Sequence, residues 1–248
     1  MQLSELSDYI GRLLEISRFR DYCPNGVQVE GRAEISRIAT GVTASQRLLE
    51  AATAWGADAI LVHHGYFWRN EDATVTGIKK RRIAHLLQHE VSLLAYHLPL
   101  DAHPELGNNA QLALRLGLLP QGRFGEQDIA WYGELRQAQT LNQFAASIAH
   151  ALQRTPMIIG DSEHNLRRIA WCSGAAQSYF EQAVALGVDA FLTGEISEQN
   201  VHIAHETGVA FIAAGHHATE RYGVQVLGEH LAQQFNIEHR FFDMPNPV

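Results

Sequence analysis

"RIATGVTASQRLLEAATAWGADAILVHH", Arg37 to His64, decides the fold, because the chain contains the pattern twice. Arg168 to Glu195 reads "RIAWCSGAAQSYFEQAVALGVDAFLTGE" and aligns with it without gaps, at an offset of 131 positions and with 12 identities. Each copy opens on a short apolar strand and passes through a turn of small residues. A helix of about a dozen residues follows, ended by Gly56 or Gly187 as its C-cap. A second apolar strand, "DAILV" or "DAFLT", completes a strand–helix–strand unit.

The likeness runs on. "VSLLAYHLPLDAH", from Val91, and "AFIAAGHHATERY", from Ala210, are apolar strands that end in a histidine with an acid four residues later. These pairs are His97 with Asp101 and His216 with Glu220. The offset here is 119, so the first copy carries about 12 extra residues. They fall in "GYFWRNEDATVTGIKKRR", a loop leading into a helix. The expectation is an α/β protein of two duplicated lobes with mostly parallel sheets. The first lobe covers 1–125 and the second 126–248, with the final strand and helix free to pack on the first. Leu119 to Leu135 suits a short hairpin. A helix follows it, capped by Thr140, with Leu141, Phe144, Ile148 and Leu152 on one face.

Composition narrows the function classes. The 248 residues carry a formal charge of -8 and no Lys/Arg stripe beyond "KKRR" at 79–82. Nucleic-acid binding is therefore disfavoured, since phosphate neutralisation supplies most of that affinity. No apolar run is long enough to span a bilayer, and the first residues lack a signal-peptide pattern. Two cysteines, Cys23 and Cys172, make no disulfide framework. These features predict a cytoplasmic protein with no membrane partner. Phosphate loops, dinucleotide fingerprints, nucleophile elbows and the H-E-x-x-H zinc motif are all missing.

The 14 histidines direct attention to metal chemistry. His63/His64, His97/Asp101 and His216/His217/Glu220 all sit at predicted strand ends, where open α/β sheets collect their chemistry. Neighbouring side chains on a strand point to opposite faces. Two adjacent histidines at a strand end, freed by Gly65, can thus serve two different ions. His216 and Glu220, four apart on a helix, reach one place. Glu220 is the expected bridging carboxylate, and Asp101, in a loop, caps one metal. An imidazole and carboxylate set fits two divalent ions of zinc, iron, manganese or nickel. Glu195, the counterpart of His64, is within reach of such a site.

With "NGVQVEG", "VHHGYFW", "HLPLDAHPELGNNAQLA", "TGE" and "AAGHHATER" in view, the chain resembles the GTP cyclohydrolase I type II family, also called the Nif-three-like dinuclear-metal family. The resemblance runs from end to end and is to the short bacterial form. It implies a dinuclear centre in a cleft between the lobes. One metal would take His64 and Asp101, the other His63 and His216, with Glu220 bridging and His97 near the centre. It also implies a ring-shaped homohexamer, a trimer of dimers.

The expected activity is metal-dependent hydrolysis of a small molecule, a nucleotide or another cyclic amide or phosphoester. His97 is the catalytic proton shuttle in this reading, and Arg221 helps to hold a phosphate. The alternative is a regulatory or interaction protein that binds metal on a ring-shaped oligomer without turnover.

Overall fold

The computed structural model describes residues 1–248. In chain order the strands are β1 (Gly26–Val29), β2 (Arg37–Thr43), β3 (Ala59–His64), β4 (Ser92–Ala95), β5 (Leu118–Phe124), β6 (Ala130–Thr140), β7 (Met157–Ile159), β8 (Asn165–Trp171), β9 (Ala190–Thr193), β10 (Ala210–Ala213) and β11 (Glu238–Phe241). The helices are α1 (Leu3–Leu13), α2 (Gln46–Trp55), α3 (Gly77–Gln88), α4 (Leu98–Ala102), α5 (Asn108–Leu116), α6 (Leu141–Leu152), α7 (Phe180–Ala185), α8 (Glu198–Thr207) and α9 (His216–Phe235).

The chain forms two compact units. One comprises Met1–Leu100 with Gly223–Met244, the other Asp101–Tyr222 with Pro245–Val248. Residues 101–125, which the repeat alone assigns to the first lobe, belong to the second unit. The reason is packing: Leu112, Leu116 and Leu118 bury themselves in a core with Phe144, Ile148, Leu152 and Trp171. Residues 223–244 return to the first unit, where β11 adds a parallel strand beside β2.

The first sheet has the order β1-β4-β3-β2-β11, with only the β1–β4 pair antiparallel. Its central strands read as unbroken apolar runs because both faces are covered. Ile60, Leu61 and Val62 have no exposed surface. Leu48, Leu49 and Ala52 of α2 and Leu86 of α3 pack on the face that carries Ile60, Val62 and Leu93. Gly56 ends α2 at φ 83°, the left-handed conformation expected of a C-cap.

The second sheet is mixed, in the order β5-β6-β8-β9-β10-β7. Its heart, β8-β9-β10, is parallel like β2-β3-β4, and antiparallel pairs flank it. The expected hairpin is β5–β6. Thr140 caps α6 and exchanges bonds with Gln143 as a capping box. The helix of the second copy is shorter than the repeat predicts. A single turn at Gln177–Tyr179 precedes the six residues of α7.

Each unit thus carries one strand–helix–strand–helix–strand core, and the expected histidines stand at its strand ends. No helix is long and apolar enough to cross a membrane.

Candidate metal centre

In the first unit, parallel pairing sets Val62 of β3 beside Ala95 of β4. The residues just beyond, His63, His64 and His97, therefore emerge together. Their ring centroids are 4.6 Å apart for His63 and His64, 5.0 Å for His63 and His97, and 5.6 Å for His64 and His97. The ligand nitrogens of all three lie within 4.8 Å of one another. Strand alternation alone predicts divergence of His63 and His64. At the last residue of β3 the pleat no longer separates them, and the rings tilt by 46° on the same side.

Hydrogen bonds orient these rings. His63 is fully buried and donates Nδ1–H to the Tyr96 carbonyl at 3.0 Å, which puts its lone pair on Nε2. His97 donates Nδ1–H to Asp21 at 2.7 Å. Thr43 Oγ1 lies 3.3 Å from His64 Nδ1. The Trp68 indole stands edge-on to His97 at 5.1 Å, an apolar wall beside the imidazoles.

Asp21 was not visible as a site residue from the sequence. Burial raises its pKa, but the bonds from His97, Asn25 and Tyr22 outweigh that and hold it below the ordinary carboxylate value. Its neighbour Cys23 goes the other way. Burial, with the Asp21 charge close by, pushes the thiol up to about 12, yet Asp21, Cys23 and His97 also bring ligand atoms within 4.8 Å of one another.

In the second unit, His216 opens α9 immediately after Gly215, and Glu220 lies one turn on. His216 Nε2 is 3.1 Å from Glu220 Oε2, and its Nδ1 is 2.6 Å from Glu195 Oε1. Burial disfavours the charged ring, but the two carboxylates prevail, Glu220 foremost, and raise its pKa to about 9. An ion at Nε2 would displace that proton.

Asp101 lies in the short helix α4 rather than in a loop. Pro99, near the start of that turn, has no amide hydrogen to lose there. Asp101 Oδ1 accepts from Asn108 Nδ2 and Ser173 Oγ, each at 2.8 Å, and one of its oxygens lies within 4.8 Å of one of Glu220. Ser173 N in turn donates to Asn109 Oδ1. Cys172 beside them is buried, which lifts its thiol well above the usual value, and the Asp101 charge adds to this.

Gly174 completes the second group. Its φ is +68°, and a Cβ there would collide with Glu220 Oε1 and lie 3.3 Å from His216 Nε2. The backbone leaves room for that carboxylate only because the residue is glycine. Arg221, expected to hold a phosphate, instead donates from Nη2 to the Leu152 carbonyl at 2.6 Å.

Neither group offers a thiolate. Imidazole nitrogen with carboxylate oxygen is the donor set of hard or borderline divalent ions, so the residues present fit such a metal.

The pattern of the Duf34/NIF3 family (NGG1p interacting factor 3) matches residues 1–247. The chain belongs to the Duf34/NIF3 family. It is 54% identical over 249 residues to a Pseudomonas aeruginosa protein named GTP cyclohydrolase 1 type 2 homolog, covering 99% of this chain and 98% of that one. A protein of the same name from Neisseria meningitidis serogroup B is 57% identical over 235 residues, 95% of this chain and 94% of the relative.

Among solved structures, protein ybgI, described as of unknown function, superposes with a TM-score of 0.97 at 46% identity over the whole of both chains. TTHA1606 from Thermus thermophilus gives 0.90 at 31% identity, again over both chains in full. The family assignment agrees with the resemblance drawn from the motifs.

The residues that sequence reading missed are the holders: Asp21, Tyr96, Asn108, Asn109, Ser173 and Gly174. "DYCPNG" and "GNNAQ" contain some of them, but nothing in their spacing announces that Asp21 meets His97, 76 positions away, or Asn109 meets Ser173, 64 positions away.

Proposed function

We propose that this Duf34/NIF3 protein is a hydrolase dependent on two divalent ions. The observation that carries the reading is the imidazole cluster at the ends of β3 and β4, where His63 and His64 stand together with the His97 ring beside them. Burying adjacent imidazoles forfeits hydration, which packing alone does not repay. The acidic group of the second unit supports it, with His216 and Glu220 in the first turns of α9 after β10 and Asp101 in α4.

In this reading His64 and Asp101 would hold one ion and His63 and His216 the other, with Glu220 a ligand shared between them. Ions of this kind acidify water and stabilise negative charge developing on a carbon or phosphorus centre. His97 receives the proton released, through the nitrogen not given to Asp21. Trp68 keeps bulk water off one edge of that ring.

The substrate is a small molecule, a nucleotide or another cyclic amide or phosphoester; the relatives' name supports a nucleotide. The motif resemblance further supports a ring-shaped homohexamer, which sedimentation would check. The two free cysteines accord with the cytoplasm.

The test is metal content per chain by plasma mass spectrometry on untagged protein prepared without chelator, beside Glu220→Ala. The reading expects about two equivalents in the parent, as in two-ion hydrolases, and most of them lost in the variant. A parent that stays nearly metal-free after reloading with zinc, iron or manganese would end it. Full metal with no turnover across nucleotides and cyclic amides would favour a binding protein.

A further inference from the structure

His97 and His216 occupy the same place in the two copies of the repeat, and each gives its Nδ1 to a carboxylate. The carboxylates come from unrelated places. Asp21 precedes β1 and accepts from His97 at 2.7 Å. Glu195 follows β9, at the position of His64 in the first copy, and meets His216 Nδ1 at 2.6 Å. The repeat therefore preserves a relationship between side chains rather than the residue that supplies it.

Asp21 is fully committed to protein donors. Its Oδ1 accepts from Tyr22 N at 2.6 Å and from His97 Nδ1, and its Oδ2 accepts from Asn25 Nδ2 and Leu98 N, each at 2.9 Å. A carboxylate has about four lone-pair sites. All four are used, so an ion at Asp21 would have to displace a protein donor. The loop that carries Asp21 also grips the His97 backbone, because Asn25 Oδ1 accepts from His97 N at 2.8 Å. Ring and main chain of His97 are thus both held by residues 21–25, while the ring stands 5.0 Å from that of His63 and 5.6 Å from that of His64.

We propose that Asp21 and Glu195 are paired positioning residues, neither of them a metal ligand, that set Nε2 of His97 and Nε2 of His216 as the working atoms. The proposal rests on the two-ion reading for what those atoms do. The roles then divide: His216 gives Nε2 to an ion, and His97 keeps Nε2 for a proton. A carboxylate behind a ligating histidine fixes its tautomer and raises its basicity. Asp21 does the same for a histidine that does not ligate.

The experiment uses the full-length protein labelled with nitrogen-15, zinc-free and zinc-loaded, at mildly alkaline pH. Long-range proton–nitrogen correlation reads the His97 tautomer, and competition with a chelator reads zinc affinity. In the parent, His97 should show a protonated, hydrogen-bonded Nδ1 and a bare Nε2. Asp21→Asn should mix the two tautomers while keeping the parent's zinc stoichiometry and affinity, and Asp21→Glu should restore part of the preference. Glu195→Gln should keep the stoichiometry and weaken affinity by about 10–100-fold.

A parent His97 protonated at Nε2 would overturn the proposal without any variant. So would loss of a zinc equivalent in Asp21→Asn, which would make His97 a ligand, or unchanged affinity in Glu195→Gln. Should Asp21→Asn fail to fold, the parent spectrum and Glu195→Gln still decide. A parent that binds no zinc sinks the two-ion reading instead, and leaves the His97 tautomer to judge Asp21 alone.

Discussion

Asp58 and Asp189 stand 131 positions apart and make the same two bonds. Oδ2 of Asp58 accepts from the backbone of Ser36 at 2.8 Å and Arg37 at 2.9 Å. Oδ2 of Asp189 accepts from Arg167 and Arg168, each at 2.7 Å. Each aspartate stands just before a central strand and ties it to the start of the neighbouring one, so that β3 is set beside β2, and β9 beside β8. The repeat is carried by this clamp as well as by its apolar periodicity.

The two clamps differ in strength. Asp58 also accepts from Ser36 Oγ and pairs with Arg32 at 2.9 Å, and its side chain is only 9% exposed. Asp58→Ala should destabilise by about 2–4 kcal/mol, since hydrogen bonds to a charged group contribute about 1.5–3 kcal/mol and the orphaned amides add to the loss. Asp189→Ala should cost less, because fewer donors depend on it. Urea midpoints at constant slope would check the order, and equal losses would refute it.

Asp58 also predicts a pH dependence. Burial raises its pKa, but the amide and hydroxyl of Ser36, the Arg37 amide and the Arg32 charge together bring it below the ordinary 3.8. A depressed folded-state pKa means that the unfolded chain takes up the proton first as pH falls. The contribution is fully present above the unfolded value and is lost as pH drops through the folded one. The stability gap between parent and Asp58→Asn, measured by urea unfolding from neutral to acid pH, should therefore shrink below about pH 4. A gap that widens there would contradict the assignment.

Gly174→Ala is a local test of the acidic group. The added methyl would meet Glu220 Oε1, and the backbone there has φ +68°. Moving an L-residue into the left-handed region costs roughly 1 kcal/mol, and the displaced carboxylate should cost metal. We expect a lower melting temperature and a reduced metal content. Unchanged metal content would show that Glu220 is not needed where it stands.

The cysteines should be inert in the native protein. Burial pushes the Cys23 thiol up to about 12 and lifts Cys172 well above its usual range, and the thiolate is the reactive form. Titration with a thiol reagent should find neither until denaturant is added, and both afterwards. A native thiol that reacts at neutral pH would exclude this picture of the surroundings of Asp21.

Much of the architecture was open to reading before folding. The repeat showed two strand–helix–strand units with the glycine C-cap at Gly56, and the segment between the copies showed the N-cap at Thr140, because caps and periodicity are local properties of the chain. It also brought His63, His64, His97, His216 and Glu220 to strand ends, since parallel strands deliver their carboxyl ends to one edge.

Tertiary structure alone decided three things. It placed residues 101–125 in the second unit, because a leucine is apolar in any core and only packing selects which one. It drew β11 to the edge of β2, since a sheet edge accepts any strand of matching register. It also gave His97 its Asp21 and Asp101 its Ser173, bonds between positions 76 and 72 apart in the chain. A hydrogen bond of that reach depends on where two loops come to rest, and no local pattern in the amino acids encodes that.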